Sequence, residues 1–77
     1  MTFEEFLKAC KFDFYEDKTT GAYYVQAYFY GSKKHRSWHH LRKVPKRIYL
    51  DKDKAKELVA DSFYWSLLSK GEIEYDF

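Results

Sequence analysis

The sequence predicts a small α+β fold of order α-β-β-β-α, an antiparallel sheet packed against a long second helix, with an alternating tail that can add a C-terminal edge strand. Three observations carry this. A chain of 77 residues buries only roughly 60% of the surface its unfolded form exposes, so its core must be rich. Eight Tyr, seven Phe and two Trp make it 22% aromatic, far above what a disordered chain of similar charge carries. Its apolar residues also change period along the chain, from helical to alternating and back to helical. No repeat, linker or low-complexity tract interrupts residues 1–77, which read as a single domain.

Thr2 followed by Glu5 forms a capping box, each side chain serving the other's backbone N–H. Phe3, Phe6, Leu7 and Cys10 then fall at i, i+3, i+4 and i+7, predicting a short amphipathic helix over residues 2–11. Cys10 ends that stripe as a small core residue, since no adjacent base would activate its thiol. Phe12, Phe14 and Tyr15 give an extended segment that dissolves into Glu16-Asp17-Lys18-Thr19-Thr20-Gly21, a turn with Gly available for positive φ.

The strongest strand runs from Ala22 to Tyr30, with Tyr23, Val25, Ala27 and Phe29 on one face and Tyr24, Gln26, Tyr28 and Tyr30 on the other. The tyrosine face is either a second, partly buried layer, the preferred reading, or an exposed stacking and hydrogen-bonding surface. Gly31-Ser32-Lys33-Lys34 reads as the next turn, and His35 to Leu41 as a third strand with Trp38 anchored inward. Val44-Pro45 argues for extended backbone, because Pro cannot donate to a ladder and biases its predecessor away from helix. Ile48-Tyr49-Leu50 is then a short strand or the entry to the last helix.

That helix starts at a cap on Asp51 or Asp53 and runs to about Ser69, with Gly71 as its stop. Ala55, Leu58, Val59, Ser62, Phe63 and Leu67 form its expected buried stripe, widened by Trp65 and Leu68. The tail Glu72-Ile73-Glu74-Tyr75-Asp76-Phe77 alternates, so Ile73, Tyr75 and Phe77 can face the core from an edge strand whose outer face is acidic.

Charge is segregated along the chain. Residues 1–17 hold two Lys against five acids, residues 51–77 four Lys against seven acids, and the stretch between Asp17 and Asp51 holds eight Lys or Arg and no acid. The net charge of +2 therefore conceals a basic middle. A basic stretch interleaved with aromatics is the usual footprint of a polyanion site, although a solvated loop has the same composition. The candidate nucleic-acid-binding residues are Lys33, Lys34, Arg36, Arg42, Lys43, Lys46 and Arg47 for phosphate charge, with Trp38, His39 and His40 as local contacts. Like charges without counter-charges repel one another, and phosphates relieve that repulsion by displacing small counterions. On a strand, Lys34, Arg36, Trp38, His40 and Arg42 share one parity, and His35, Ser37, His39, Leu41 and Lys43 the other. If the first set faces outward, Trp38 is a stacking platform beside cations; if inward, the preferred reading, it is core.

Three histidines invite a metal reading, but His39 and His40 point to opposite faces of a regular strand, and His35 with His39 lacks a third fixed ligand. No metal and no cofactor is expected. Catalysis has little support either: no GxSxG, phosphate loop or HExxH occurs, so the protein is expected to be a non-enzyme. The lone Cys10 has no disulfide partner and fits a reducing compartment. The N-terminus lacks the charged and apolar regions of a secretory signal, and no run approaches ~18 apolar residues. The expectation is a soluble, cytoplasmic protein with no membrane partner.

The segment from Gly21 to Leu68 resembles the arm-type DNA-binding domain of phage and transposon tyrosine integrases. The residues that carry the likeness are Tyr23-Tyr24-Val25-Gln26-Ala27-Tyr28-Phe29-Tyr30-Gly31-Ser32-Lys33-Lys34 and Tyr49-Leu50-Asp51-Lys52-Asp53-Lys54-Ala55-Lys56. The element order is also similar to that of the double-stranded RNA-binding domain, whose final helix opens with a Lys-Lys-x-Ala-Lys pattern resembling residues 52–56. The chain departs from both in its longer basic segment before the helix, in the acid inside its lysine cluster and in its charged tail. These resemblances imply a nucleic-acid partner, duplex in form. The alternative expectation is a phage or mobile-element type inhibitor or adaptor that binds a host protein, such as a nucleic-acid-processing enzyme, through the same basic surface or through an acidic tail that mimics phosphate. Monomer and homodimer are both open at this stage.

Overall fold

The structure, a computed structural model, describes residues 1–31 and 36–74. Helix α1 (Phe3–Ala9) leads directly into strand β1 (Lys11–Asp17), followed by β2 (Ala22–Gly31), β3 (Arg36–Val44), a five-residue helix α2 (Lys46–Leu50) and the 18-residue helix α3 (Lys52–Ser69). The expected turn at Ser32-Lys33-Lys34, the strand start at His35 and the tail residues Tyr75, Asp76 and Phe77 lie outside the described residues.

The capping box forms: the Thr2 hydroxyl accepts from the Glu5 N–H at 3.2 Å and the Glu5 carboxylate accepts from the Thr2 N–H at 3.0 Å. The helix ends at Cys10, whose backbone is already extended. The hairpin between β1 and β2 is closed by Asp17, whose Oδ1 accepts from the N–H groups of Thr19 and Thr20, and by Gly21 at φ +73°. Those hydrogen bonds hold the Asp17 carboxyl below its usual range.

The strands form one antiparallel sheet in the order β1-β2-β3. The register puts Phe12 opposite Ala27 and Phe14 opposite Val25 on one side, and Trp38 opposite Phe29 and His40 opposite Ala27 on the other. These residues share the face on which α3 lies. Phe6 is the hub of the core: its ring sits 4.9 Å from Phe29 and 5.3 Å from both Phe63 and Tyr64. Cys10 belongs to the same cluster, and burial pushes its thiol up to about 12, which keeps it protonated and inert.

Four expectations need correction. β3 continues to Val44 rather than stopping at Leu41, because Val44 pairs with Tyr23 and is buried, and the ladder ends only where Pro45 has no N–H to give. Residues 48–50 belong to the separate helix α2, so the long helix is α3, the last of three among the described residues. Leu58 and Trp65 are 48% and 56% exposed, whereas Ala60 and Tyr64 are buried. The cause is α1, which packs against α3 beside the sheet through Phe3 and Phe6 on Tyr64 and so rotates the buried sector. Finally, residues 72–74 form no strand. Gly71 at φ +73° closes α3, with Gly71 N–H bonded to Leu68 O and Glu72 N–H to Leu67 O. This cap turns Ile73 into the core and buries Glu72, the residue expected on an acidic outer face.

Candidate nucleic-acid interface

β3 is an edge strand, and its alternation deals the predicted site residues to two sides of the sheet. Arg36, Trp38, His40 and Arg42 lie on the helix side; His39 and Lys43 lie on the open side with Ser37 and Leu41. Lys46 and Arg47 continue the line on α2, both exposed. Lys33 and Lys34 lie outside the described residues. Nine residues at about 3.4 Å each make β3 a ridge of roughly 30 Å, with Arg36 near one end and Lys43, Lys46 and Arg47 at the other. Among the described residues, none of Arg36, Arg42, Lys43, Lys46 and Arg47 is ion-paired with a carboxylate.

On the helix side the cations are partly tied down. The Arg42 guanidinium donates to Ser62 Oγ at 2.6 Å, and Ser62 Oγ lies 2.9 Å from His40 Nε2. Since Arg42 can only donate, the Ser62 hydroxyl is free to donate its own proton to a neutral His40. Neutrality is favoured: burial, then the charges of Arg42 and Lys70, hold the His40 imidazole below its ordinary pKa. The ring is stacked flat on Phe63 at 5.3 Å. A Ser–His contact has the form of a nucleophile and its base, but here the serine also receives Arg42 and the imidazole is clamped against a phenyl ring. The trio braces β3 to α3. Trp38 is half-buried on this side, as the inward reading expects, with Lys70 Nζ 5.2 Å from its ring centroid. Its Nε1 is buried and makes no hydrogen bond among the described residues.

Among the described residues no helix or strand covers the open side; Tyr24, Gln26 and Tyr28 are partly buried there and Tyr30 is exposed, so the partial burial expected of this face is present without a second layer over it. Its rings are Tyr15, Tyr24, Tyr28 and Tyr30, and the register aligns Lys11, Tyr28 and His39 in one row, Asp13, Gln26 and Leu41 in a second, and Tyr15, Tyr24 and Lys43 in a third. Tyr28 donates to Gln26 Oε1 at 3.2 Å, Tyr15 and Tyr28 hydroxyls meet at 3.3 Å, and Gln26 Nε2 lies 3.5 Å from His39 Nδ1. The hydrogen bond with Tyr15, then the hydrogen bond with Asp13, raise the Tyr28 pKa. The His39 ring stands edge-on to Tyr28 at 4.9 Å.

The residues whose roles the sequence did not reveal are Ser62 and Lys70, which meet His40 and Arg42 or Trp38 across the α3 seam, and Tyr15 and Leu41, which line one groove on the open face. A polar serine inside an otherwise apolar helical stripe was the one available signal for the first, since a half-buried hydroxyl requires a partner. Among the described residues no three His, Cys, Asp or Glu converge as a metal site, and no described helix is long and apolar enough to cross a membrane. Comparison with protein-family models, curated protein sequences and solved structures returns no match.

Proposed function

We propose that this protein is a non-enzymatic nucleic-acid-binding protein that holds a run of phosphates along the β3 edge and α2. The observation that carries the reading is the ridge of five cations, Arg36, Arg42, Lys43, Lys46 and Arg47, with no acid paired to them among the described residues. An edge strand presents side chains of both parities to one margin of the sheet, so the division of the site between two faces still leaves a single basic border. Phosphates bound there release condensed counterions, which makes binding salt-dependent. The ridge does not discriminate duplex from single strand, since phosphates are common to both and position a protein without reading bases. A cytoplasmic setting and the resemblance of residues 21–68 to the arm-type DNA-binding domain of integrases belong to the same reading. Fluorescence anisotropy of labelled duplex and single-stranded oligonucleotides across a salt series tests it. Binding that weakens steeply with salt is expected; no binding at low salt would move the basic ridge to a protein partner.

A further inference from the structure

We infer that the open sheet face seats an unpaired nucleobase in the groove between Tyr15 and Leu41, which makes single-stranded nucleic acid the substrate class of the basic ridge; this rests on the nucleic-acid reading above. The groove measures about 260 Å³ and is lined by Tyr15, Tyr24, Gln26 and Leu41. Its floor is the central strand, through Tyr24 and Gln26. Its walls come from the two edge strands, Tyr15 of β1 and Leu41 of β3, which are 42% and 54% exposed. An exposed ring and a branched aliphatic side chain at the two margins of a shallow groove suit a flat, apolar-faced ligand. Gln26 supplies a polar edge: its Oε1 accepts from Tyr28, one amide N–H faces His39 Nδ1, and the other has no partner among the described residues. A planar heterocycle with acceptors on its rim matches both features.

Charge selects the ligand that carries such a heterocycle. Lys43 is exposed on the same face, directly opposite Tyr24 in the register and two residues beyond Leu41, so about 7 Å further along β3. That is the order of separation between a base and its own phosphate. A base inside a duplex is stacked on both faces and cannot enter the slot, whereas bases of a single strand are free to stack on side chains. Tyrosine rather than phenylalanine at every aromatic position of the face agrees with a surface that is wet when empty and aromatic when filled.

The probes are a labelled oligothymidylate, an abasic oligomer of equal length and a duplex of equal length, titrated by anisotropy with the whole chain. Oligothymidylate is expected to bind roughly tenfold or more tightly than the abasic oligomer, the usual worth of a stacked base. The double variant Tyr15→Ala, Leu41→Ala is expected to lose most of that difference and to leave abasic and duplex binding unchanged. Both side chains are substantially exposed, and the comparison of oligomers on the unaltered protein needs no variant. Equal affinity for thymidylate and abasic oligomers, with a steep salt slope, would overturn the base groove and leave the phosphate ridge standing. No salt-dependent binding to any oligomer would overturn the ridge and the groove together. A concentration-dependent dimer in sedimentation that the double variant dissociates, with oligomer affinities unchanged, would assign the face to a second copy and overturn the inference.

Discussion

The two faces of the sheet use aromatic rings to opposite ends. On the helix side Phe12, Phe14 and Phe29 join Val25 and Ala27 under α3, with Tyr23 packed at 4.7 Å on Tyr49 of α2. On the open side the described rings are four tyrosines and the His39 imidazole, with no phenylalanine, and hydroxyls, Gln26, Asp13 and His39 form a network in place of a packed layer. A phenyl ring gains nothing from water, whereas a phenol keeps a polar tip that tolerates it. On the sheet's open side the hydroxyls suit a surface left facing water, while the tyrosines of the helix side, Tyr23, Tyr49 and Tyr64, are packed into or against the core. The faces of β3 differ in the same sense: Arg42 is tied into Ser62 on the helix side, while Lys43 stands exposed on the open side.

The largest expected contrast is in stability. Phe6→Ala removes the fully buried hub of the helix-side core and should cost about 3–5 kcal/mol, whereas Leu41→Ala on the open face should stay within about 0.5 kcal/mol. Urea unfolding of both variants checks this, and comparable losses would break the contrast between faces. Ser62→Ala should destabilise by about 1 kcal/mol, because it leaves the part-buried His40 Nε2 without its partner; a neutral result would mean the brace does not hold β3 to α3.

The same brace predicts a pH dependence. His40 has a depressed pKa in the folded state, so in the unfolded chain it takes up a proton first, near the ordinary value of about 6.5. Its contribution to stability is full above that value and is lost as pH falls toward the folded pKa. Thermal melts between pH 7 and pH 5 should show this loss, and His40→Gln should reduce it. At the smallest scale, Lys43→Gln should lower the salt slope of oligonucleotide binding by about 0.7 for a single strand or 0.9 for a duplex, read from anisotropy at several salt concentrations.

Much of the fold is legible in particular residues. Thr2 with Glu5, the alternation from Ala22, Asp51 as a cap and Gly71 as a stop each act over one or two turns, and each is found in place. What was not legible depends on partners distant in sequence. Tyr64 is buried because α1 returns onto α3, and β3 reaches Val44 because Tyr23 is there to pair with it. The parity of Trp38, Arg36 and Arg42 against His39 and Lys43 could be read directly, but which set faces α3 follows from the register with β2. The groove needed all three strands, since Tyr15 and Leu41 line it from the two edges with the central strand between them. Residue types flagged the basic ridge; its geometry as the border of a sheet came from pairing.

The most direct test of the central claim is an anisotropy salt series on oligonucleotide binding, run with the unaltered protein and with Arg42, Lys43, Lys46 and Arg47 all replaced by Gln. The account predicts binding that falls steeply with salt, and a variant whose affinity is weaker and whose slope is shallower by roughly 3, with its thermal unfolding still cooperative. A variant that binds with the same affinity and the same slope would contradict the claim that the β3 and α2 cations hold phosphates.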